Sequence, residues 1–209
     1  MESLAHIRCP EGHFVCDGCY NIDAPEHFKL LVLSTITEDP ILLAEEMFSN
    51  SKLPMLGCQH AYIAAGALLG ALRVGGKAMI AEDEISEVFS RLDKQAIGGY
   101  CGLTGVCGVT PAIGAVFALL TGSRCGTDRE QRITMEAATR ASRAITELTG
   151  PSCCKAYVLG AIRVAVDYLE EALGITLPLS EARACNFSQA HPHGCREAAC
   201  PFFAVAERC

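Results

Sequence analysis

Residues 59–72 read QHAYIAAGALLGAL, a segment that is apolar on almost every face of a helix. Its alanines and glycines are small enough to let other helices approach closely, and Gly75-Gly76 provides a stop signal. A helix that is apolar all round is buried in the core of a protein. This segment therefore predicts a central helix around which the rest of the chain packs.

One helix is predicted before this segment and one after it. Asp39 is a good N-cap residue and Pro40 suits the first helical position, so a short helix is expected to run through Met47. Residues 81–95 place apolar side chains at three- and four-residue spacing beneath a charged face. This second pattern predicts an amphipathic helix at the surface.

Two more helices are predicted in the second half of the chain. Thr127 with Glu130 three residues later has the spacing of a capping box, and a long helix is expected to follow it. Ser152 is expected to be the N-cap of the last helix, and Gly174 to end it.

The chain divides into three parts on this basis. Residues 25–174 form the helical body, which alone has enough apolar side chains for a core. Residues 1–24 are predicted to form a small metal knuckle, and residues 175–209 an irregular cysteine-rich tail that packs on the body. Because no convincing strand pattern occurs in the body, we predict an all-α fold, a compact helical bundle.

The distribution of charge excludes two classes of partner. The net charge is −7 and the 17 basic residues are scattered, so the basic patch of a nucleic-acid-binding protein is missing. Residues 53–72 and 95–123 carry no Asp, Glu, Lys or Arg, but Pro54 lies near the start of the first stretch, and the first half of the second is rich in glycines and cysteines. Their apolar parts suit buried core helices. We therefore expect neither nucleic acid nor a membrane as a partner.

The chain contains 13 cysteines, far more than chance would place in 209 residues. Its beginning, MESLAHIRCPEGH, has neither the apolar run nor the cleavage site of a signal peptide. We therefore expect a cytoplasmic protein whose thiols stay reduced. Reduced cysteines in such number favour metal binding over structural disulfides.

The head contains four residues of the types that bind metal within eleven residues. Cys9, His13, Cys16 and Cys19 form a Cys-x3-His-x2-Cys-x2-Cys array. Four such ligands are enough to close a tetrahedral zinc site, which would be structural rather than catalytic. The three cysteines also suit an iron–sulfur centre, so zinc and iron–sulfur both remain open for the head.

A glycine-rich loop surrounds another pair of cysteines. Residues 98–111 read GGYCGLTGVCGVTP, so five glycines surround Cys101 and Cys107 ahead of an apolar helix. Glycines let backbone amides close on a ligand, and a helix start favours negative charge. Because neither a Walker pattern nor a strand-bounded GxGxxG is present, sulfur-bound iron is preferred here over a nucleotide phosphate.

Cysteines also occur at two other predicted helix starts. Cys58 begins the central helix, with His60 close by, and a vicinal pair follows Ser152. Thiols at helix N-termini have lowered pKa values, which suits a metal ligand, a nucleophile or a redox thiol. The predicted interior cofactor site consists of Cys58, Cys101, Cys107, Cys153 and Cys154. Cys153, Cys154 and His60 are the candidates for catalysis; the alternative is that these thiols only pack as small apolar side chains.

The tail offers three cysteines and two histidines over sixteen residues. We predict a further metal site whose ligands are Cys185, Cys195 and Cys200, with His191 and His193 nearby. A Cys-Pro pair at Cys200 is typical of the end of ferredoxin-type ligand runs, although the full ferredoxin spacing is absent. A tail too polar to pack by itself would also gain order from such ligands.

These motifs resemble a family of cysteine-rich proteins of unknown function from anaerobic archaea and bacteria, some of which are joined to methyltransferase domains. The shared motifs are CPEGHFVCDGC (residues 9–19), GCQHAY (57–62), GGYCGLTGVCG (98–108), GPSCCK (150–155) and CNFS…C…CPFF (185–203). The glycine-rich loop is also similar to that of proteins with a Gly-Cys-Ala motif that are regarded as redox-active. The resemblance implies metal binding and cysteine chemistry, and it implies no particular substrate.

Three functions are compatible with these patterns. We expect an iron–sulfur protein in redox or sulfur-transfer chemistry, with a 4Fe-4S cluster held by cysteines at helix N-termini. Unused thiols of the vicinal pair could carry a persulfide or cycle as a dithiol. The alternatives are a zinc-stabilised interaction or scaffold module for a partner enzyme and a carrier of metal or sulfur. No carboxylate pair, Ser-His array or nucleotide fingerprint identifies a substrate.

Partners follow from these alternatives. A redox protein or a methyltransferase is the partner expected for the first two functions. The central helix, with its small residues, would suit a homodimer seam if it proved exposed.

Overall fold

The computed structural model describes residues 24–50, 53–148, 150–182 and 185–203. The predicted metal knuckle, with Cys9, His13, Cys16 and Cys19, lies outside these residues. The described residues form eight α-helices and no strand, which confirms the all-α fold. The helices are α1 (Ala24–Ser34), α2 (Pro40–Asn50), α3 (His60–Val74), α4 (Glu82–Asp93), α5 (Cys101–Thr104), α6 (Val109–Thr121), α7 (Arg129–Glu147) and α8 (Cys154–Leu173).

The central helix is α3, as predicted. All its residues from 60 to 72 are buried within the single chain, and it packs against α1, α2, α4, α6 and α8. Glycine is needed for this close packing: a Cβ at Gly70 would lie 2.5 Å from Cδ2 of Leu43, and one at Gly66 would lie 3.0 Å from Cγ2 of Val32. Because these residues are already buried, the condition for a dimer seam on α3 is not met.

The neighbouring helices follow from their caps and apolar faces. Oδ1 of Asp39 accepts hydrogen bonds from the backbone N–H of Ile41 at 2.8 Å and of Leu42 at 3.2 Å, so the predicted N-cap of α2 is confirmed. The helix continues to Asn50, beyond the predicted end at Met47. The apolar side of the amphipathic helix α4 is buried, as its spacing predicts, and consists of Ile85, Val88, Phe89 and Leu92.

The predicted caps of the last two helices are wrong. The Thr127 hydroxyl donates to the carbonyl of Arg124 at 2.8 Å, so it does not cap α7, which begins at Arg129. The N-cap of α8 is Cys153, one residue after the predicted Ser152. The end of α8 is as predicted, because Gly174 adopts a left-handed conformation with φ 68°.

The tail returns across the beginnings of α2 and α8. Its backbone is attached to α2 where Oδ2 of Asp39 accepts a hydrogen bond from the N–H of Ser180 at 2.6 Å. Residues 185–203 contain two short 3-10 turns, Ser188–Ala190 and Glu197–Ala199. The side chain of Phe202 is buried against the helical core. None of the helices that the described residues form has both the length and the apolar character to cross a membrane.

Candidate functional site

Three helix starts that carry cysteines meet in the structure. The backbone N–H of Gly57, just before α3, lies 3.5 Å from Sγ of Cys154 at the start of α8. At the start of α6, a Cβ on Gly108 would lie 3.7 Å from Cβ of Ala61 in α3. The segments that carry Cys58, Cys107 and Cys154 are therefore neighbours. We call Cys58, Cys101, Cys107 and Cys154 the junction cysteines.

The vicinal pair is divided between two surroundings. Cys153 is the N-cap with extended backbone (φ −129°, ψ 101°), whereas Cys154 is the first helical residue of α8. Their side chains therefore point in different directions. Sγ of Cys154 contacts the backbone N–H of Gly57 at the junction, whereas Cys153 lines a cavity together with the three cysteines of the tail.

This cavity has a volume of about 530 Å³. It lies between α2, the start of α8 and the tail. The side chains that matter for its chemistry are four thiols, which we call the cavity cysteines: Cys153, Cys185, Cys195 and Cys200. The predicted tail ligands and one member of the predicted interior site thus face one space.

Backbone amides point at several of the cavity sulfurs. The N–H of Phe187 lies 3.4 Å from Sγ of Cys185, and that of Glu197 lies 3.3 Å from Sγ of Cys195. Both donors are two residues beyond the cysteine that they contact. Each of these two sulfurs therefore has a backbone donor directed at it.

Two side chains of the tail fasten it to the beginning of α8. Nε2–H of His191 donates to the carbonyl of Ser152 at 2.9 Å, while its Nδ1 accepts from the N–H of His193 at 3.3 Å. Arg196 donates to the carbonyls of Leu148 and Pro151. Since both ring nitrogens of His191 are engaged, its role in the described structure is to position the tail.

Burial reverses the predicted acidity of three thiols. Loss of water raises the pKa of Cys107 to about 11 and that of Cys154 to about 12, and it also raises the pKa of Cys153. Backbone N–H groups act in the opposite direction and are the weaker effect. The expectation of thiolate-rich cysteines at these helix starts is wrong for the metal-free protein.

The other two junction cysteines differ in exposure. Cys58 is half-buried and precedes α3, where its carbonyl accepts a hydrogen bond from the N–H of Ala61 at 2.9 Å. Cys101 is exposed at the start of the four-residue helix α5, beside the exposed side chain of Leu103. The junction therefore extends from the half-buried Cys154 to the protein surface at Cys101.

His60, a predicted catalytic candidate, is fully enclosed by the core. Nδ1–H donates to the carbonyl of Gly57 at 2.9 Å, and Nε2 has no hydrogen-bond partner among the described residues. Burial and, as the smaller effect, the positive charge of Lys155 lower the pKa of His60 to about 3. The imidazole is therefore neutral at physiological pH, and it lies behind Phe48 rather than on the cavity wall.

The sequence reasoning missed Lys155, which lines the cavity two residues after Cys153. Its side chain is buried, and Nζ lies 4.2 Å from the ring centroid of Phe187 and 4.6 Å from that of Phe48. A signal was available in the sequence. Lys155 has the three- and seven-residue spacing to Val158 and Ile162, so it occupies the apolar side of α8.

The described residues do not form a ready-made site for a single ion. In no place do three or more His, Cys, Asp or Glu side chains of the described part converge as one bound metal ion requires. A tetrahedral zinc ion needs its sulfur ligands about 2.3 Å from one point. Four cysteine thiols are also the usual donor set of an iron–sulfur cluster, and the cavity cysteines supply that number.

Residues 28–203 match the model of a protein family that is described as a family of unknown function (DUF5714). The matched region contains all the junction and cavity cysteines. No match was found among the curated proteins or among the solved structures. The comparisons therefore supply a family, and the function has to be argued from the geometry of the site.

Proposed function

The chain belongs to the DUF5714 family of unknown function, and from its own geometry we propose that it is an iron–sulfur protein. The cavity cysteines, Cys153, Cys185, Cys195 and Cys200, would hold the cluster. The observation that carries this proposal is that one thiol from the start of α8 and three thiols from the tail line one cavity of about 530 Å³. Four cysteine thiolates are the usual ligand set of a 4Fe-4S cluster.

The surroundings of the sulfurs support this ligand set. Hydrogen bonds to ligand sulfurs are one of the means by which proteins stabilise a cluster and adjust its potential. Phe187 and Glu197 supply such N–H groups to Cys185 and Cys195. Aromatic rings, those of Phe48 and Phe187 among them, also line the cavity.

The junction cysteines would carry out the thiol chemistry of the protein. The pKa values of Cys107 and Cys154 are raised by burial, so both are protonated at neutral pH. We propose that the two thiols form a disulfide by losing two protons and two electrons, and that the cluster takes one electron at a time and passes each to a redox partner protein. Alternatively, one of the two thiols takes a sulfane sulfur atom from a persulfide donor, whose own thiol is the leaving group.

The cellular setting is part of the same proposal. An iron–sulfur cluster and a reduced dithiol both require a reducing compartment, so we place the protein in the cytoplasm. Its partner would be a redox protein or a methyltransferase. Zinc bound by the head belongs to this proposal too, although the head lies outside the described residues.

The proposal is tested on the full chain purified without oxygen. We expect visible absorption, iron and acid-labile sulfide in nearly equal amounts, and little zinc beyond that bound by the head. Replacement of any one cavity cysteine by serine should lower the iron and sulfide content. Cys125→Ser is the matched control, because Cys125 is exposed and does not line the cavity.

Two results would favour the alternative functions. A colourless protein with stoichiometric zinc and no sulfide, even after anaerobic reconstitution, would indicate a zinc-stabilised interaction or scaffold module. Metal that is substoichiometric and easily removed by a chelator would indicate a carrier of metal or sulfur. Either result would reject a resident cluster.

A further inference from the structure

We propose that Lys155 is the positioning residue that compensates the negative charge of the cavity cysteines and sets the reduction potential of the cluster that they hold. This inference rests on the proposed function. It assigns a role to a residue that is neither a ligand nor a thiol.

The first observation is the burial of a charged side chain. Lys155 is 4% exposed and stands in the first turn of α8, two residues after Cys153. Lysine is almost never buried so deeply without a partner, because removing its charge from water is costly. Contact with the rings of Phe48 and Phe187 offsets part of this cost through cation–π attraction. The remaining cost requires negative charge nearby.

Carboxylates do not supply this negative charge in the described structure. None of the ion pairs within 4.0 Å among the described residues includes Lys155. Glu45 and Glu46 line the same cavity from α2. Burial lowers the pKa of Lys155, and the groups that oppose this shift when they ionise are the thiols of Cys153, Cys154 and Cys185.

Other cations of the cavity are committed to the backbone. The guanidinium of Arg196 lines the cavity but donates to the carbonyls of Leu148 and Pro151, so its position is fixed by the tail. His60 is neutral, because burial holds its pKa near 3. Lys155 is therefore the cation that the fold directs toward the cavity thiols.

Thiolate ligands give a bound cluster a net negative charge, and reduction adds one more. A nearby ammonium stabilises the reduced state more than the oxidised state, because the attraction grows with the negative charge. A neutral side chain at position 155 should therefore make the cluster harder to reduce. We expect at least a tenfold lower ratio of reduced to oxidised cluster at a fixed potential, which corresponds to about 59 mV for one electron.

The experiment compares cluster-loaded variants of the full chain without oxygen. Lys155→Met removes the charge and keeps much of the apolar stem, while Lys155→Arg keeps the charge. Lys29→Met is the matched control, since Lys29 bridges Glu26 and Glu82 and does not line the cavity. Iron and sulfide are measured first, and the midpoint potential is then measured by redox titration. Lys155→Gln replaces the methionine variant if the latter does not fold.

The outcomes separate this inference from the proposed function. A lower potential in the neutral variant, with the arginine variant close to the parent and Lys29→Met unchanged, would support the role of Lys155. A loaded neutral variant with the parent's potential would overturn that role and leave the cluster proposal intact. A parent protein without iron and sulfide would overturn both.

Discussion

The junction cysteines and the cavity cysteines lie in different environments, although one member of each group belongs to the same vicinal pair. Cys153 and Cys154 are adjacent, yet one lines a cavity of about 530 Å³ and the other is enclosed beside Gly57. The cause is local, because the backbone changes from extended to helical between them. Adjacent thiols in a sequence therefore need not serve one site.

The two groups also differ in what they can bind. The cavity cysteines face a space that can hold a cluster, together with a buried cation, Lys155. The junction cysteines Cys107 and Cys154 are packed against the starts of three helices and are protonated at neutral pH. On the proposed function, the first group holds a prosthetic group and the second group carries out thiol chemistry.

The largest effect is expected from separate replacement of the vicinal cysteines. Cys153→Ser removes a proposed cluster ligand, so iron and sulfide should fall at least tenfold in protein purified without oxygen, a scale typical of lost metal-site interactions. Cys154→Ser leaves the four cavity cysteines intact and should keep both. Iron and sulfide are measured per chain beside the absorption spectrum.

A reversed result would overturn the division into two groups. If Cys154→Ser lost the cluster and Cys153→Ser kept it, the junction cysteines would be the ligands. Circular dichroism of both variants provides the control, because equal helix content shows that the difference comes from the sulfur atom. The two variants are otherwise matched, because each replaces one sulfur by oxygen and the two positions are adjacent.

A second prediction perturbs the junction alone. A Cβ at Gly108 would lie 2.8 Å from Cβ of Ala96, so Gly108→Ala forces the start of α6 away from its neighbours. Overpacking of this kind costs about 1–3 kcal/mol in the free energy of unfolding. Denaturant unfolding measures the loss. The cluster content should be retained, because Gly108 does not line the cavity.

Gly102→Ala is the matched control for this substitution. Gly102 belongs to the same loop, and a Cβ there would have no atom within 4 Å. Its stability should stay close to that of the parent. Equal destabilisation by both substitutions would show that flexibility of the glycine loop, and not packing at the junction, is what matters.

The helices could be predicted from the sequence because their apolar patterns are local. The central helix α3 and the buried side of α4 both follow directly from residue spacing. The predicted caps at Thr127 and Ser152 are wrong, because the N-cap is the next residue in each case, Asp128 or Cys153, and its side chain makes no capping hydrogen bond. A shift of one residue at a helix end is common, since the pattern of apolar residues does not fix the first residue of a helix.

The site was less predictable, for a physical reason. The cysteines and their presence at helix starts are visible in the sequence, whereas the change from extended backbone at Cys153 to helical backbone at Cys154 is not. The acidity of Cys107 and Cys154 was predicted in the wrong direction, because a sequence shows a helix start but not the depth of burial. Lys155 was overlooked although its spacing indicated a buried position.

A third prediction concerns His60, which lies between the two groups. Its pKa is lowered by burial from an ordinary 6.5 to about 3, so the unfolded chain binds a proton that the folded chain rejects at acidic pH. The metal-free protein should therefore lose stability as the pH falls below 6.5. The loss is about 2 kcal/mol at pH 5 from this group. Chemical denaturation between pH 7 and pH 5 measures it.

His60→Asn is the corresponding variant, because its amide can donate to Gly57 in place of Nδ1–H. The asparagine does not titrate, so the dependence of stability on pH between 7 and 5 should become flatter by the same amount. An unchanged slope would show that other groups cause the acid sensitivity and that His60 is accessible to protons in the folded state.

The smallest effect is expected at alkaline pH, where the junction thiols ionise. Burial raises the pKa of Cys154 from 9.0 to about 12, so the stability that comes from its neutral thiol is complete below pH 9 and is lost as the pH rises toward 12. At pH 10 the loss is about 1 kcal/mol for this thiol. Unfolding of the metal-free protein between pH 8 and pH 10 measures it, with Cys154→Ala as the variant that should lack this share.

Cys125→Ala is the control, because Cys125 is exposed and its removal should leave the alkaline slope unchanged. A slope that Cys154→Ala does not reduce would mean that water reaches the junction, and the contrast between an enclosed junction and an open cavity would then fail.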